Sequence, residues 1–177
     1  MLIRHATLND LPAIAAVEAA CFPAAEAASA DALRERLMVY PDCFWLMIDD
    51  AADDAKATAA RAATVDGRLV AFINGFVTDS PDLSDDMYAD AAQHDPHGAW
   101  QMVFGVDTAP EYRHCGYASA LMRRVIGRGH IRIHAWQRRM ASDAVAVLTI
   151  NVRPSSLPYP GTAIPSRRET AWNAAGT

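Results

Sequence analysis

The sequence predicts one mixed α/β (α+β) domain, in which a twisted and mostly antiparallel sheet is flanked by helices. Short apolar runs of strand length alternate along the chain with segments whose apolar residues recur at helical spacing, which is typical of this class. The 177 residues, 51% of them hydrophobic, are enough for one domain with a substantial core. Because no repeat or low-complexity linker divides the chain, we expect the domain at residues 1–152 and an irregular tail at residues 153–177.

A strand and two helices open the chain. Residues 2–4 predict a short strand, and residues 7–10 supply capping side chains for a first helix that runs to about Cys21. Ser29 is a typical cap for a second helix, which we expect to end at about Tyr40 because a proline follows.

The middle of the chain predicts two paired antiparallel strands at residues 44–48 and 69–77, which are compact apolar runs. The Ala-rich residues 51–64 between them have little side-chain volume, so we expect a loop or a short surface helix there. Residues 79–98 are acidic and rich in turn formers, which predicts a long surface connection with a short helix around residues 87–92.

The second half predicts two more strands and one helix. Residues 100–106 form an apolar run that predicts a buried strand, and residues 116–126 carry an amphipathic helical stripe. Residues 144–152 predict the last strand. No periodic pattern follows Arg153.

Charge is distributed unevenly along the chain. The net charge of −5 conceals 6 basic and 19 acidic residues at positions 1–112, against 10 basic and 2 acidic residues at positions 113–177. An acidic half favours cationic ligands, whereas a basic end suits a phosphate-bearing cofactor, nucleic acid or simple solvation. Apart from Trp136, the arginines of that end are not interleaved with stacking aromatics, so nucleic acid is not an expected partner.

Composition argues against a secreted or membrane protein. No apolar run approaches the ~18 to 20 residues of a membrane helix, and the first ten residues lack the order of a signal peptide. Cys21, Cys43 and Cys115 are widely spaced and odd in number, which fits thiols in a reducing compartment better than a disulfide framework or a metal site. We therefore expect a soluble, cytoplasmic protein with no metal and no membrane partner.

Residues 100–126 carry the clearest chemical signal, because a predicted strand leads through a short loop into a predicted helix. Backbone N–H groups at a helix N-terminus are unpaired and, together with the helix dipole, bind phosphate oxygens. Gly116 and Ala118 permit the close approach that such contacts need. The loop lacks both the three glycines of a dinucleotide fingerprint and the Gly-Lys-Ser/Thr of a Walker loop, so those cofactors are disfavoured.

The loop sequence at residues 110–118, Pro-Glu-Tyr-Arg-His-Cys-Gly-Tyr-Ala, resembles the Pro-x-x-Arg-x-x-Gly-x-Gly/Ala motif of the GNAT superfamily of acyl-CoA-dependent N-acyltransferases. Residues 3–11 and 67–75 look like the first strand, first helix and central hairpin of that superfamily, so the resemblance covers roughly residues 2–126. Part of it, including residues 21–29, is similar to bacterial relatives of arylalkylamine (serotonin) N-acetyltransferase.

The last ~50 residues depart from the family pattern. They are rich in Arg, Ser and Pro, and they show neither the family's tyrosine-bearing helix nor its closing strands. We infer that this end is divergent or out of frame relative to its relatives.

The resemblance implies a place for each part of acetyl-CoA, the expected cosubstrate. The strand before the loop would pair with the pantetheine arm through free amides and carbonyls, and the loop would hold the pyrophosphate. The implied residues are Val106, Asp107 and Thr108 for the arm and Arg113, His114, Cys115, Gly116, Tyr117, Ala118 and Ser119 for the pyrophosphate. The thiol of Cys115 is assigned no catalytic role.

The resemblance leaves the base open. Animal arylalkylamine enzymes carry two histidines on the strand before the loop, but Met102 and Phe104 occupy those positions here and would instead line a pocket for an aromatic or alkyl group. The candidates for the base are therefore His94, His97 and a chain of waters, and His94 is the residue we predict.

Tyr159 is the tyrosine placed roughly where the family has the residue that protonates the leaving thiolate, although prolines on both sides forbid a regular helix. Phe22 and Pro23 form either a wall of the substrate site or only the end of the first helix.

These observations predict a cytoplasmic acetyl-CoA-dependent N-acetyltransferase that acts on a small primary amine, with arylalkylamines as the leading class. The alternative is a catalytically impaired acyl-CoA-binding or interaction protein with a disrupted C-terminus. A homodimer is left open. A nucleic-acid module is a third hypothesis, which predicts strongly salt-dependent retention of DNA or RNA.

Overall fold

The computed structural model describes residues 1–51, 62–126, 129–133 and 150–154 of the chain, and all structural statements concern these ranges. The strands are β1 (Leu2–His5), β2 (Trp45–Asp49), β3 (Ala63–Thr64), β4 (Gly67–Asn74), β5 (Val77–Thr78), β6 (Trp100–Gln101), β7 (Gly105–Thr108), β8 (Gly129–Ile133) and β9 (Ile150–Pro154). The α-helices are α1 (Leu11–Cys21), α2 (Ala30–Val39) and α3 (Tyr117–Ile126). The predicted mixed architecture, with an antiparallel sheet between helices, is confirmed.

A buried carboxylate joins β1 to the start of α1. Asp10 is 1% exposed and accepts hydrogen bonds from the amide and the hydroxyl of Thr7 at 2.8 and 2.9 Å. The Arg4 guanidinium donates to both Asp10 oxygens at 2.8 Å. Burial alone would raise the pKa of Asp10, but these hydrogen bonds and the charge of Arg4 outweigh it and lower the pKa overall. The predicted first strand and first helix are thus fixed to each other.

Strand β4 is the centre of the first sheet. It pairs antiparallel with β2 along one edge and with β3 and β7 along the other, which confirms the predicted pairing of the two middle runs. One face of this sheet buries Leu46 and Phe72 in the same core as α1 and α2. The opposite face buries Val70 and Ile73 against α3. The sheet is therefore covered on both faces.

A second sheet, in the order β5-β6-β9-β8, begins where the chain kinks at Gly75. A Cβ at this position would overlap the Met102 carbonyl, so only glycine lets the two segments approach this closely. The predicted continuous strand over residues 100–106 is consequently divided. Its first part ends at Gln101 in the second sheet, and its second part begins at Gly105 in the first sheet.

The acidic connection contains two 3-10 turns, Asp85–Tyr88 and Ala91–Gln93, in place of the predicted short helix. Met87 and Ala91 anchor these turns in the core. No helix among the described residues is long and apolar enough to cross a membrane.

The C-terminal strands differ from the prediction. Strand β8 was not predicted, and β9 runs through Pro154, past the expected domain boundary at residue 152. Most of the predicted strand at residues 144–152, most of the Ala-rich stretch at residues 51–64 and the whole tail after residue 154 lie outside the described residues.

Candidate functional site

The loop between β7 and α3 contains two residues with left-handed backbone. A 3-10 turn at Pro110–Tyr112 leads into His114, with φ 63°, and Gly116, with φ 78°. For a residue with a Cβ, this conformation costs about 1 to 2 kcal/mol. Left-handed residues at such turns aim successive N–H groups into one concavity, which is an arrangement that binds anions.

The backbone amides of residues 114–119 are available to a ligand. None of them donates a hydrogen bond within the described part of the chain, and the first helical bond runs from Ala120 to the carbonyl of Gly116 at 3.0 Å. A Cβ added at Gly116 would meet nothing within 4 Å, so open space lies before the loop. Because α3 spans ten residues, its N-terminus also carries a substantial helix dipole. These features suit a phosphate group.

The side chains of the loop play smaller parts. The Arg113 Nε donates to the Thr108 carbonyl at 3.3 Å, and the Cys21 thiol donates to the same oxygen at 3.3 Å. The carbonyl of Thr108, one of the three residues expected to contact the pantetheine arm, thus already accepts two hydrogen bonds within the chain. Cys115 is exposed, and its thiol turns back to the Arg113 carbonyl at 3.5 Å.

Strand β7 offers an unpaired edge beside this loop. One edge pairs with β4, and no described strand pairs with the other edge. Val106 packs towards the core under α3, whereas α1 contacts β7 from the opposite face. An extended ligand could therefore pair with the free edge of β7 next to the amides of the loop.

A buried carboxyl group occupies this strand. Asp107 is 2% exposed, and neither of its side-chain oxygens has a hydrogen-bond partner among the described residues. Burial raises its pKa well above the usual value, and the nearby negative charge of Glu18 raises it further, against a smaller opposing effect of Arg113. From the sequence, only the backbone of Asp107 was expected to contact the cosubstrate. The burial of its carboxyl group was not expected.

Two more charged side chains are buried nearby. Glu18 of α1 is 7% exposed and accepts a hydrogen bond from the Ala28 amide at 2.8 Å. Arg36 of α2 is 7% exposed and donates to the Asn74 side chain at 3.3 Å and to the Tyr88 carbonyl at 2.8 Å. Neither residue was predicted from the sequence to have a role. Each could have been noticed as a charged residue at a position where the apolar stripe of its helix continues.

His94 is held in a structural role. Its Nδ1 accepts a hydrogen bond from the Val77 amide at 3.1 Å, and its ring packs 5.2 Å from that of Tyr40. Burial lowers its pKa. Because Nδ1 is engaged as an acceptor, the neutral ring carries its proton on Nε2 and has no free lone pair. This geometry argues against the predicted role of His94 as the base.

The remaining predicted site residues are dispersed. Met102 is 0% exposed and Phe104 is 5% exposed, so as packed here they belong to the core rather than to an open pocket wall. Phe22 is half-buried and Pro23 is exposed, in the turn that follows α1. His97 is exposed, and Tyr159 lies outside the described residues. No group of three or more His, Cys, Asp or Glu residues in the described ranges is arranged to hold a metal ion.

The chain matches the model of a known protein family. The model of the acetyltransferase (GNAT) family matches residues 13–147, which extends beyond the residue 126 where the expected resemblance ended. A search of curated protein sequences finds no significant match.

Two solved structures are similar to the chain. One is described as the GphF GNAT-like decarboxylase in complex with isobutyryl-CoA, with a TM-score of 0.57, 26% identity, and coverage of 72% of this chain and 58% of that chain. The other is the loading GNATL domain of CurA from Lyngbya majuscula, with a TM-score of 0.58, 15% identity, and coverage of 78% of this chain and 65% of that chain. This chain thus spans less than two thirds of either one.

The family match covers most of the sequence, and it includes the loop before α3, whose amides have no hydrogen-bond acceptor among the described residues. The chain belongs to the acetyltransferase (GNAT) family.

Proposed function

We propose that this protein is a cytoplasmic N-acetyltransferase that transfers an acetyl group from acetyl-CoA to a small primary amine. The observation that supports the proposal is the β7–α3 loop, whose left-handed residues and amides without a described acceptor are suited to a phosphate group, in a chain of the acetyltransferase family. The free thiols of Cys21, Cys43 and Cys115 are consistent with the reducing cytoplasm.

Direct attack of an amine on a thioester requires three things from the protein. A proton must leave the substrate ammonium, the carbonyl must be polarised, and the departing thiolate must be protonated. Backbone N–H groups on the free edge of β7 are suited to the second task, because they lie beside the expected path of the pantetheine arm. For the third task we retain Tyr159 as the proposed donor.

The acceptor we propose is cationic in solution. The 19 acidic and 6 basic residues at positions 1–112 favour the approach of an ammonium compound. Arylalkylamines are the leading class, on the resemblance noted for residues 21–29, with Phe22 and Pro23 as proposed contacts to the aromatic group.

Release of free CoA thiol with a panel of arylalkylamines and alkylamines tests this function. We expect amine-dependent thiol release, and mass spectrometry should find the N-acetylated amine. Arg113→Ala should weaken the reaction modestly, since its Nε ties the loop to the Thr108 carbonyl, whereas Arg68→Ala is a matched control outside the loop. Tight acetyl-CoA binding without release for any amine would instead support an impaired acyl-CoA-binding protein.

A second candidate is decarboxylation of a carboxyacyl-CoA. The GNAT-like decarboxylase is 26% identical to this chain, and Arg36 is a buried guanidinium with no carboxylate within 4.0 Å among the described residues. Such a group is suited to the free carboxylate of an acyl chain. Release of carbon dioxide from malonyl-CoA, abolished by Arg36→Met, would favour this candidate over amine acetylation.

A further inference from the structure

The Asp107 carboxyl is the least satisfied polar group at the site. A Cβ added at Gly105 would lie 3.1 Å from Asp107 Oδ2 and 3.4 Å from Asn74 Nδ2, so the carboxyl lies over Gly105 beside β4. Both of its oxygens are buried without a partner in the described part of the chain. A buried polar group without a hydrogen bond destabilises a fold, so its retention calls for an explanation in binding or chemistry.

Among the described residues, the charged groups that act on Asp107 come from α1 and from the β7–α3 loop, whereas β4 and α3, which also pack on β7, contribute none. Helix α1 contributes Glu18 and the thiol of Cys21, and the loop contributes Arg113. Arg36 of α2 acts on Glu18. Burial raises the pKa of Cys21 to about 11, which leaves it a neutral thiol. Glu18 thus acts on the Asp107 carboxyl where α1 packs across β7, and that carboxyl has no hydrogen-bond partner among the described residues.

A positively charged hydrogen-bond donor is the ligand that would best stabilise the buried Asp107 carboxyl. An ammonium group carries three N–H donors and one positive charge, so it can bind an Asp107 oxygen while it offsets the repulsion from Glu18. A metal ion is a poorer occupant, because fewer than three ligand side chains converge here among the described residues.

We propose that Asp107 binds the ammonium group of the acceptor and accepts its proton, with Glu18 as the second carboxylate of the same subsite. The inference rests on the proposed amine acetylation and identifies its missing base. Asp107 takes the proton from R–NH3⁺. The amine lone pair then forms the C–N bond to the thioester carbonyl carbon, and the C–S bond breaks so that the thiolate leaves with its electron pair. The attacking nitrogen passes its second proton to solvent water, water protonates the thiolate, and the product is the neutral amide. The proton on Asp107 returns to solvent.

The first test does not depend on turnover. Isothermal titration of 2-phenylethylammonium, tryptammonium and butylammonium into the CoA-saturated protein, in buffers of different ionisation enthalpy, measures the protons exchanged on binding. Because burial and Glu18 raise the pKa of Asp107 and a bound cation would lower it again, we expect the wild type to release protons, at most one per ammonium bound, when it binds these compounds. The uncharged 2-phenylethanol should release none.

Variants identify the group that loses the proton. Asp107→Asn should abolish proton release and weaken ammonium binding at least ~10-fold, which is 1.4 kcal/mol in binding free energy. Asp107→Ser serves the same purpose if the asparagine variant folds poorly. Asp82→Asn removes an exposed carboxylate of the same acidic half and should match the wild type. Proton release that persists in Asp107→Asn, or no binding of any of the three ammonium compounds, would overturn the proposal.

Kinetics separate this proposal from the proposed function. If amines are acetylated, Asp107→Asn should lower kcat/KM at least ~100-fold and remove the acidic limb of the pH profile, with acetyl-CoA affinity unchanged. Glu18→Gln should raise KM more than it lowers kcat. Acetylation with an unchanged rate and pH profile in Asp107→Asn would refute the proposal while the function stands. Proton-linked ammonium binding without acetylation would refute the function while the subsite stands.

Discussion

At the scale of single residues, the site is defined by charges placed where the fold would otherwise be apolar. Asp107 lies in a strand buried on both faces, and Glu18 lies on the apolar stripe of α1. The sequence placed Asp107 on the strand that precedes the CoA loop, because the motif fixes its distance from Arg113. It did not predict the burial of the carboxyl, since that burial depends on α1 packing across β7 from more than 80 positions away.

The stability of the protein should report the state of Asp107. Its pKa is raised in the folded protein, so the folded state binds the proton more tightly than the unfolded state, and stability falls as the pH rises from about 4 through the folded pKa. Because asparagine does not ionise, Asp107→Asn should not lose stability in this way as the pH rises. We expect it to raise the free energy of unfolding at pH 8 by about 1 kcal/mol relative to the wild type, with a smaller difference at pH 4.

Thermal denaturation of both proteins across this pH range measures the effect, and Asp82→Asn serves as the control. An equal gain in stability in Asp82→Asn would contradict the role of Asp107. So would a stability difference between Asp107→Asn and the wild type that becomes smaller as the pH rises.

Asp10 should show the opposite dependence. Its pKa is lowered in the folded state, so its stabilising effect is present above the unfolded pKa of about 4 and is lost as the pH falls through the folded pKa. Asp10→Asn leaves the Arg4 guanidinium without one of its two carboxylate partners and should cost about 2 to 4 kcal/mol at pH 7. Urea unfolding at pH 7 measures this cost. A decrease in the free energy of unfolding of less than ~0.5 kcal/mol would show that the Arg4–Asp10 ion pair contributes little to stability.

At the scale of elements, local patterns predicted most of the structure. Helices α1, α2 and α3 begin and end within about one residue of the predicted positions, because caps and prolines are close to the helices they bound. The division of the predicted strand at residues 100–106 was not predictable in the same way. It depends on Gly75, which belongs to a different strand and meets Met102 only in the folded protein.

The conformation of the β7–α3 loop can be tested by substitution of its two left-handed residues. Gly116→Ala places a Cβ at φ 78° in open space, so its folding cost of about 1 kcal/mol is conformational, and the methyl group would enter the space in which we propose that the pyrophosphate binds. We expect acetyl-CoA affinity to fall about 10-fold. His114→Gly is the matched control, because glycine adopts φ 63° without strain. It should keep the affinity within about 3-fold of the wild type, and equal losses in both variants would contradict the role of the loop.

At the scale of the whole molecule, two sheets meet at Gly75 and leave one edge of β7 unpaired among the described strands. The β7–α3 loop lies at one end of that edge, and the Asp107 carboxyl is buried in the same strand, which α1 contacts. Family membership was predictable from the loop motif together with its flanking strand and helix. Tyr159 was named from the family resemblance and lies outside the described residues, whereas the burial of the Asp107 and Glu18 carboxyls was not predictable, because it depends on elements far apart in the chain.

Because acetyl-CoA is expected to bind only the folded protein, it should raise the melting temperature. At 100 times its Kd the ligand adds about 2.7 kcal/mol to the free energy of unfolding, which corresponds to a shift of several degrees for a domain of this size. Differential scanning fluorimetry with acetyl-CoA and with NAD measures this. An equal shift with NAD would indicate binding without the specificity that the loop predicts.

Calorimetric titration of the purified protein with acetyl-CoA would show whether the loop at the N-terminus of α3 binds the pyrophosphate of an acyl-CoA. We expect saturable binding with one acetyl-CoA per chain and about 10-fold weaker binding by Gly116→Ala. An absence of binding by a folded wild-type protein, or binding that Gly116→Ala leaves unchanged, would contradict this expectation.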